Sequence, residues 1–167
     1  RQRQMCIRDR VFTSQGVPFI YAGEEVMRDK KGIHNSYQSP DSINAIDWSR
    51  KTEHADVFAY YKGLIQLRKN HPAFRLGEMC IVRRHLEFLP VEGSYVVAYH
   101  LKENAGGDAW GDIYVILNSR KEIAKVPVPE GRYTVVCKDG FISEQGLGTI
   151  YGPEVFVPAQ SALIFYK

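Results

Sequence analysis

The sequence predicts the end of an α/β unit followed by an all-β antiparallel domain, with the change near residue 75. Three observations carry that reading. A short, continuously apolar run at residues 18–22 follows the end of a helix, as in a parallel strand buried on both faces. A helical apolar stripe runs through residues 56–70. Beyond Pro72 the pattern becomes a series of short β-prone runs divided by turn residues.

Residues 11–15 read as the last turn of a helix, because Gly16 supplies a stop and Pro18 follows two residues later. Pro18, Phe19, Ile20, Tyr21 and Ala22 are expected to form a strand, which Gly23, Glu24 and Glu25 end. From residue 27 to residue 50 no period holds, and Asp, Asn, Ser, Lys, Gly and Pro predominate around Tyr37 and Trp48. Loops of this length inside compact domains are usually functional or disordered. In the helix at 56–70, Val57, Phe58, Tyr61, Leu64, Ile65 and Arg68 make the stripe, Arg68 by burying its stem. Glu53 and Asp56 suit the start of its dipole, and Arg68, Lys69 and His71 suit its end before Pro72. Strands are expected at residues 80–83, 86–88, 96–101, 113–117, 123–126, 133–137, 155–157 and 163–166, separated by turns such as Glu92-Gly93 and Asp139-Gly140. Their spacing points to an antiparallel sandwich or barrel. One strand and one helix cannot cover both faces of a parallel sheet, so most of the α/β part is expected upstream and the chain reads as the tail of a longer protein.

The 167 residues are 44% hydrophobic and 25% charged, an ordinary globular balance. The net charge of +3 lies entirely in residues 1–10, which hold four arginines and one aspartate, so the remainder is neutral and no nucleic-acid partner is expected. The string from Gln4 to Arg10, QMCIRDR, resembles a translated sequencing-adapter remnant, and residues 1–10 are expected to be a non-native leader. They hold no apolar core of a secretory signal, and the stretch at 17–22 is far short of a membrane span, so no membrane partner is expected and the compartment stays open. Cys6, Cys80 and Cys137 are scattered, which supports neither a disulfide framework nor a zinc site, and no metal or cofactor is expected.

In α/β folds the loop after the carboxyl end of a strand is the usual ligand wall. Residues 24–48 hold that position and supply amides, carboxylates and aromatic rings, the groups that take sugar hydroxyls in pairs and cover the apolar faces of pyranoses. Gly16-Val17-Pro18-Phe19-Ile20-Tyr21-Ala22-Gly23-Glu24-Glu25 resembles the segment at the eighth and last barrel strand of alpha-amylase superfamily glycoside hydrolases. Met27-Arg28, Lys31-Gly32, His34-Asn35-Ser36-Tyr37, Ser39-Pro40-Asp41, Asn44 and Ile46-Asp47-Trp48 are similar to the corresponding loop of type I pullulanases, which act on α-1,6 glucosidic links. Tyr60-Tyr61-Lys62-Gly63-Leu64-Ile65 and His71-Pro72-Ala73-Phe74 resemble the family's last barrel helix and its exit, and residues 157–163 resemble the closing strand of its terminal β-domain.

The resemblance implies a domain plan of leader (1–10), the last strand, substrate loop and helix of a (β/α)8 barrel (11–75), and a β-sandwich (76–167). It implies retaining glycosidase chemistry on pullulan, starch or glycogen, with the three family carboxylates on upstream strands, so no catalytic residue is expected here and the isolated chain is expected to be inactive. It marks Arg28, Asn35, Tyr37, Asp41 and Asn44 as substrate-binding candidates, with Tyr21, Asp47 and Trp48 as packing residues and loop anchors. Two other readings stand beside it: another amylolytic specificity of the superfamily, and a non-catalytic carbohydrate-binding β-domain. In the latter Tyr95, Tyr99, Trp110 and Tyr114 would be a sugar platform, although such alternating aromatics are more often sandwich core.

Overall fold

The computed structural model describes residues 2–167, with side chains from Ile7 onward. Helix α1 (Gln2–Thr13) leads into an extended segment, a 3-10 turn (Glu24–Val26) and two short helices, α2 (Asp41–Asn44) and α3 (Arg50–Glu53). Helix α4 (Ala55–Asn70) follows, then a 3-10 turn (Pro72–Arg75) and α5 (Met79–His85). The strands are β1 (Leu86–Phe88), β2 (Val96–Leu101), β3 (Ile113–Asn118), β4 (Ala124–Pro127), β5 (Arg132–Lys138), β6 (Phe141–Ile142), β7 (Gly148–Tyr151), β8 (Glu154–Val157) and β9 (Ser161–Tyr166). All pairings are antiparallel. Seven strands form one sheet in the order β1-β2-β3-β9-β5-β6, with β7 also on β5, while β4 and β8 form a two-stranded sheet.

The large sheet is covered on both faces, which explains why its central strands β3 and β9 are buried at nearly every position and almost wholly apolar. Along β3, Ile113, Val115 and Leu117 face a core shared with α1 and α4, while Tyr114 and Ile116 face a second core shared with β4 and β8. In β9, Ala162 and Ile164 join the first core and Leu163 and Phe165 the second. This is the two-residue alternation of a strand read from both sides. The helix-side core runs across residue 75, since Tyr61, Leu64 and Phe74 cluster with Val115 and Ile164. Gly63 lets α4 lie close against the sheet, since a Cβ there would lie 2.2 Å from Ile142 Cγ2.

Several expectations change. Residues 18–22 are extended but not a strand: among the described residues no strand pairs with them, and a strand exists only through its ladder. Val17 and Phe19 are 95% and 89% exposed while Ile20 packs on the helix-side core. Residues 80–83 lie in α5, not a strand; so short an apolar run suits either state, and here both Ile81 and Val82 pack against the helix-side core. Strands β6 and β7 were not foreseen, being short and largely exposed. In α4 the buried face includes Tyr60 and Leu67 rather than Phe58 and Ile65, because the sheet and α1 cover a wider arc than the stripe alone suggests. The helix expected to end near residue 15 runs back through residues 2–10, with Arg8 and Asp9 buried against α4.

Candidate functional site

Gly23 begins the site. Its φ of 94° turns the chain back, and a Cβ there would lie 2.8 Å from Arg28 Cδ. The Arg28 N–H donates to Gly23 O at 2.8 Å, which closes the turn. Arg28 then lies along the preceding segment, donating to the Tyr21 hydroxyl (3.1 Å), to Ala22 O (3.3 Å) and to the Asn44 carbonyl. Its guanidinium carbon sits 5.2 Å from the Tyr21 ring centroid and Lys30 Nζ sits 5.7 Å from it, an aromatic face under two cations. Hydrogen bonding from Lys30, helped by the charge of Arg28, holds the Tyr21 phenol below its ordinary pKa.

Lys30 organises the rest of the loop. Its ammonium donates to Ser36 Oγ at 2.7 Å and to Asn44 Oδ1 at 2.6 Å, while Asn44 Nδ2 donates to Ser36 O (2.8 Å) and Ser39 O (2.7 Å). Farther along, Arg50 donates twice to Met27 O, at 3.1 and 2.7 Å. Asp47 accepts from Ser49 Oγ at 2.5 Å and from its N–H at 3.0 Å, and these bonds hold its carboxyl below the usual range.

An open cleft of about 740 Å³ results. Four of the five binding candidates, Arg28, Asn35, Tyr37 and Asn44, line it, together with Tyr21 and Lys30. Asp41 sits at the start of α2 on a neighbouring cleft of about 300 Å³, which Arg28 separates from the first by lining both. Asn35 and Tyr37 are exposed, Tyr37 at 77%. Asn44 is different: both of its amide hydrogens and its oxygen are engaged within the loop, so its side chain shapes the cleft wall. Asp47 is an anchor, and so is Tyr21, half-exposed but held under Arg28 and Lys30, whereas Trp48 is 61% exposed.

Glu24 and Glu25 face different partners. Glu24 pairs with Arg8 at 2.6 Å, and Glu25 accepts from the Gly23 N–H at 3.0 Å. No group of three potential metal ligands occurs among the described residues. In the β-domain Tyr99 and Tyr114 are 5% and 4% exposed core residues. Trp110 is stacked between His71 (centroids 3.5 Å apart) and Tyr166 (4.0 Å), so both its faces are taken. Beneath that stack Asp108 faces His71 Nδ1 at 2.8 Å and accepts from the Ala73 and Trp110 N–H groups. Burial pushes the Asp108 carboxyl up, but these hydrogen bonds together outweigh it and hold the group below its ordinary value.

Two residues that support the site were not singled out for this work by sequence. Arg68 donates to the carbonyls of Phe12 (2.8 Å), Ser14 (2.8 Å) and Gly16, holding the end of α1 and the start of the extended segment. Lys30, which pins the loop, looks in the sequence like one more solvated cation.

Residues 82–140 match the family model "Pullulanase, all-beta domain". The pullulanase of Bacillus subtilis (strain 168) is 37% identical over 162 residues, covering 90% of this chain and 22% of that protein. The chain belongs to the pullulanase family. Among solved structures, pullulanase from Bacillus acidopullulyticus superposes with a TM-score of 0.95 at 41% identity over 99% of this chain and 20% of its own. Type I pullulanase from Bacillus subtilis str. 168, complexed with maltose, gives 0.90 at 36% identity over 99% of this chain and 23% of its own. This pullulanase-family chain therefore spans about a fifth of the length of the relatives it matches.

Proposed function

We propose that the chain supplies one wall of the α-glucan cleft of a pullulanase-type hydrolase that cleaves α-1,6 bonds in pullulan, starch or glycogen with retention, and that alone it does not turn over. The carrying observation is the convergence of Arg28, Asn35 and Tyr37 on one open cleft, with Lys30 and Asn44 fixing its wall. Tyr37 offers an apolar ring face to a pyranose, and Asn35 offers a paired donor and acceptor to adjacent hydroxyls. Asp41, at the edge of the neighbouring cleft, would meet a sugar further along the chain.

The retaining mechanism needs a nucleophile and an acid/base about 5–5.5 Å apart across the scissile bond. Glu24 and Glu25 are each committed elsewhere, so those carboxylates are assigned to sequence outside this chain. The exposed Val17 and Phe19 edge is where the rest of a (β/α)8 barrel would pair. The family's pullulanases solved with maltose and maltotetraose support glucan as the ligand class.

The test is release of reducing ends from pullulan by the 167-residue chain. None above background is expected, and turnover would overturn the assignment of the carboxylates.

A further inference from the structure

We propose a second α-glucan site on the β-domain, built on Tyr95 and remote in sequence from the loop cleft. It rests on the same ligand class as the function proposed above but on separate residues. Of the four β-domain aromatics considered as a sugar platform, Tyr99 and Tyr114 are buried and Trp110 is covered on both faces. Of the four, Tyr95 alone has an exposed ring, at 78%.

The ring stands over a cleft of about 530 Å³ between residues 93–95 and 119–122. The floor is fixed. Arg120 crosses between the two loops, donating from Nε to Ser94 O at 2.7 Å and from Nη2 to Glu92 O. The Ser119 N–H donates to Tyr95 O at 2.9 Å. Asn118, 1% exposed, accepts from the Arg120 N–H at 2.9 Å and donates to the carbonyls of Glu122, Val157 and Pro158. Gly93 permits the crossing, since a Cβ there would lie 2.8 Å from the Arg120 guanidinium.

This bracing holds Tyr95 at a φ of +67°, a left-handed conformation that strains a bulky L-residue. The strained backbone keeps the ring out in solvent at a position where burial would favour folding. Beside it Lys121 and Glu122 are exposed, one donor and one acceptor of opposite charge, while the guanidinium of Arg120 is occupied by backbone. A neutral ligand with an apolar face and paired hydroxyls matches this set: the pyranose stacks on Tyr95 and its hydroxyls meet Glu122 and Lys121. The open shape admits a segment of chain better than a single enclosed sugar, which suits a polymer held at a distance from the reaction.

The experiment is titration of the 167-residue chain with maltoheptaose, with cellohexaose as the comparison, for the unaltered chain and for Tyr95→Gly, Tyr95→Phe, Trp110→Ala and Tyr37→Ala. Tyr95→Gly deletes the ring at a φ that glycine adopts freely, so it leaves the fold at least as stable, as a melt will record. The expected result is saturable maltoheptaose binding that weakens about 2–10-fold in Tyr95→Gly and persists in Tyr95→Phe and Trp110→Ala. Binding that Tyr95→Gly leaves unchanged overturns the site. So does equal binding of cellohexaose, or no saturable binding by the unaltered chain. Loss confined to Tyr37→Ala would sink the Tyr95 site and support the loop cleft, whereas loss confined to Tyr95→Gly would do the reverse.

Discussion

Asp9 should make this chain less stable as the solution becomes less acidic. Its side chain is buried in α1, where it accepts a hydrogen bond from the Tyr60 hydroxyl, and that hydroxyl also lies 3.2 Å from Cys137 Sγ. Burial pushes the carboxyl up from 3.8 to about 7, against the smaller opposing effects of the Tyr60 hydrogen bond and the Arg10 charge. Between those two values the folded chain keeps the proton and the unfolded chain has lost it. The unfolded state then binds fewer protons, so stability is full below about pH 4 and falls as pH rises toward 7. Each pH unit in that window is worth about 1.4 kcal/mol, so the whole passage removes ~4 kcal/mol. For a chain of this size that lowers the melting temperature by about 10 °C. Tyr60 does not disturb the window, because burial drives its own ionisation further to the alkaline side. Asp108 acts in the opposite sense but only at the acid end, since its carboxyl titrates below the ordinary value. Thermal unfolding followed by circular dichroism at pH 4 to 8 measures the slope, and Asp9→Asn should flatten it. A melting temperature that is level or rises between pH 5 and pH 7, or a slope that survives in Asp9→Asn, would refute the reasoning.

Arg68→Ala should cost about 3–4 kcal/mol in urea unfolding, because it leaves the Phe12, Ser14 and Gly16 carbonyls without their charged donor; Arg68→Lys should recover only part, having no planar fork to span three acceptors. Gly63→Ala should destabilise by about 1–3 kcal/mol through overpacking against Ile142 Cγ2, and the same change should cost less in an Ile142→Ala background, which lacks that methyl; equal stability of Gly63→Ala and the unaltered chain would show that α4 can shift off the sheet.

Regions whose covering lies within their own pattern were legible in the sequence. The helix at residues 56–70 and β2 at residues 96–101 show this, the first with capping charges that agree with its period. So were the positions of Arg28, Asn35, Tyr37 and Asn44 on one loop, although not that Asn44 spends its amide on the loop itself. Arg68 is the instructive case. Its place on the apolar stripe was visible, but its three acceptors lie more than fifty residues earlier, and no local pattern encodes them.

By itself, the sequence determined the succession of helical and β regions, the neutrality of the chain beyond its basic start, and the loop that carries the candidate site. Tertiary structure decided what depends on a partner. Residues 18–22 have strand composition but no ladder, and residues 80–83 are β-prone yet lie in a helix. Among Tyr95, Tyr99, Trp110 and Tyr114, identical in promise as a sugar platform, only packing separates the open ring from the covered ones. The physical reason is common to all three: propensity and periodicity act between neighbours in the chain, whereas ladder pairing and burial act between residues that only the fold brings together.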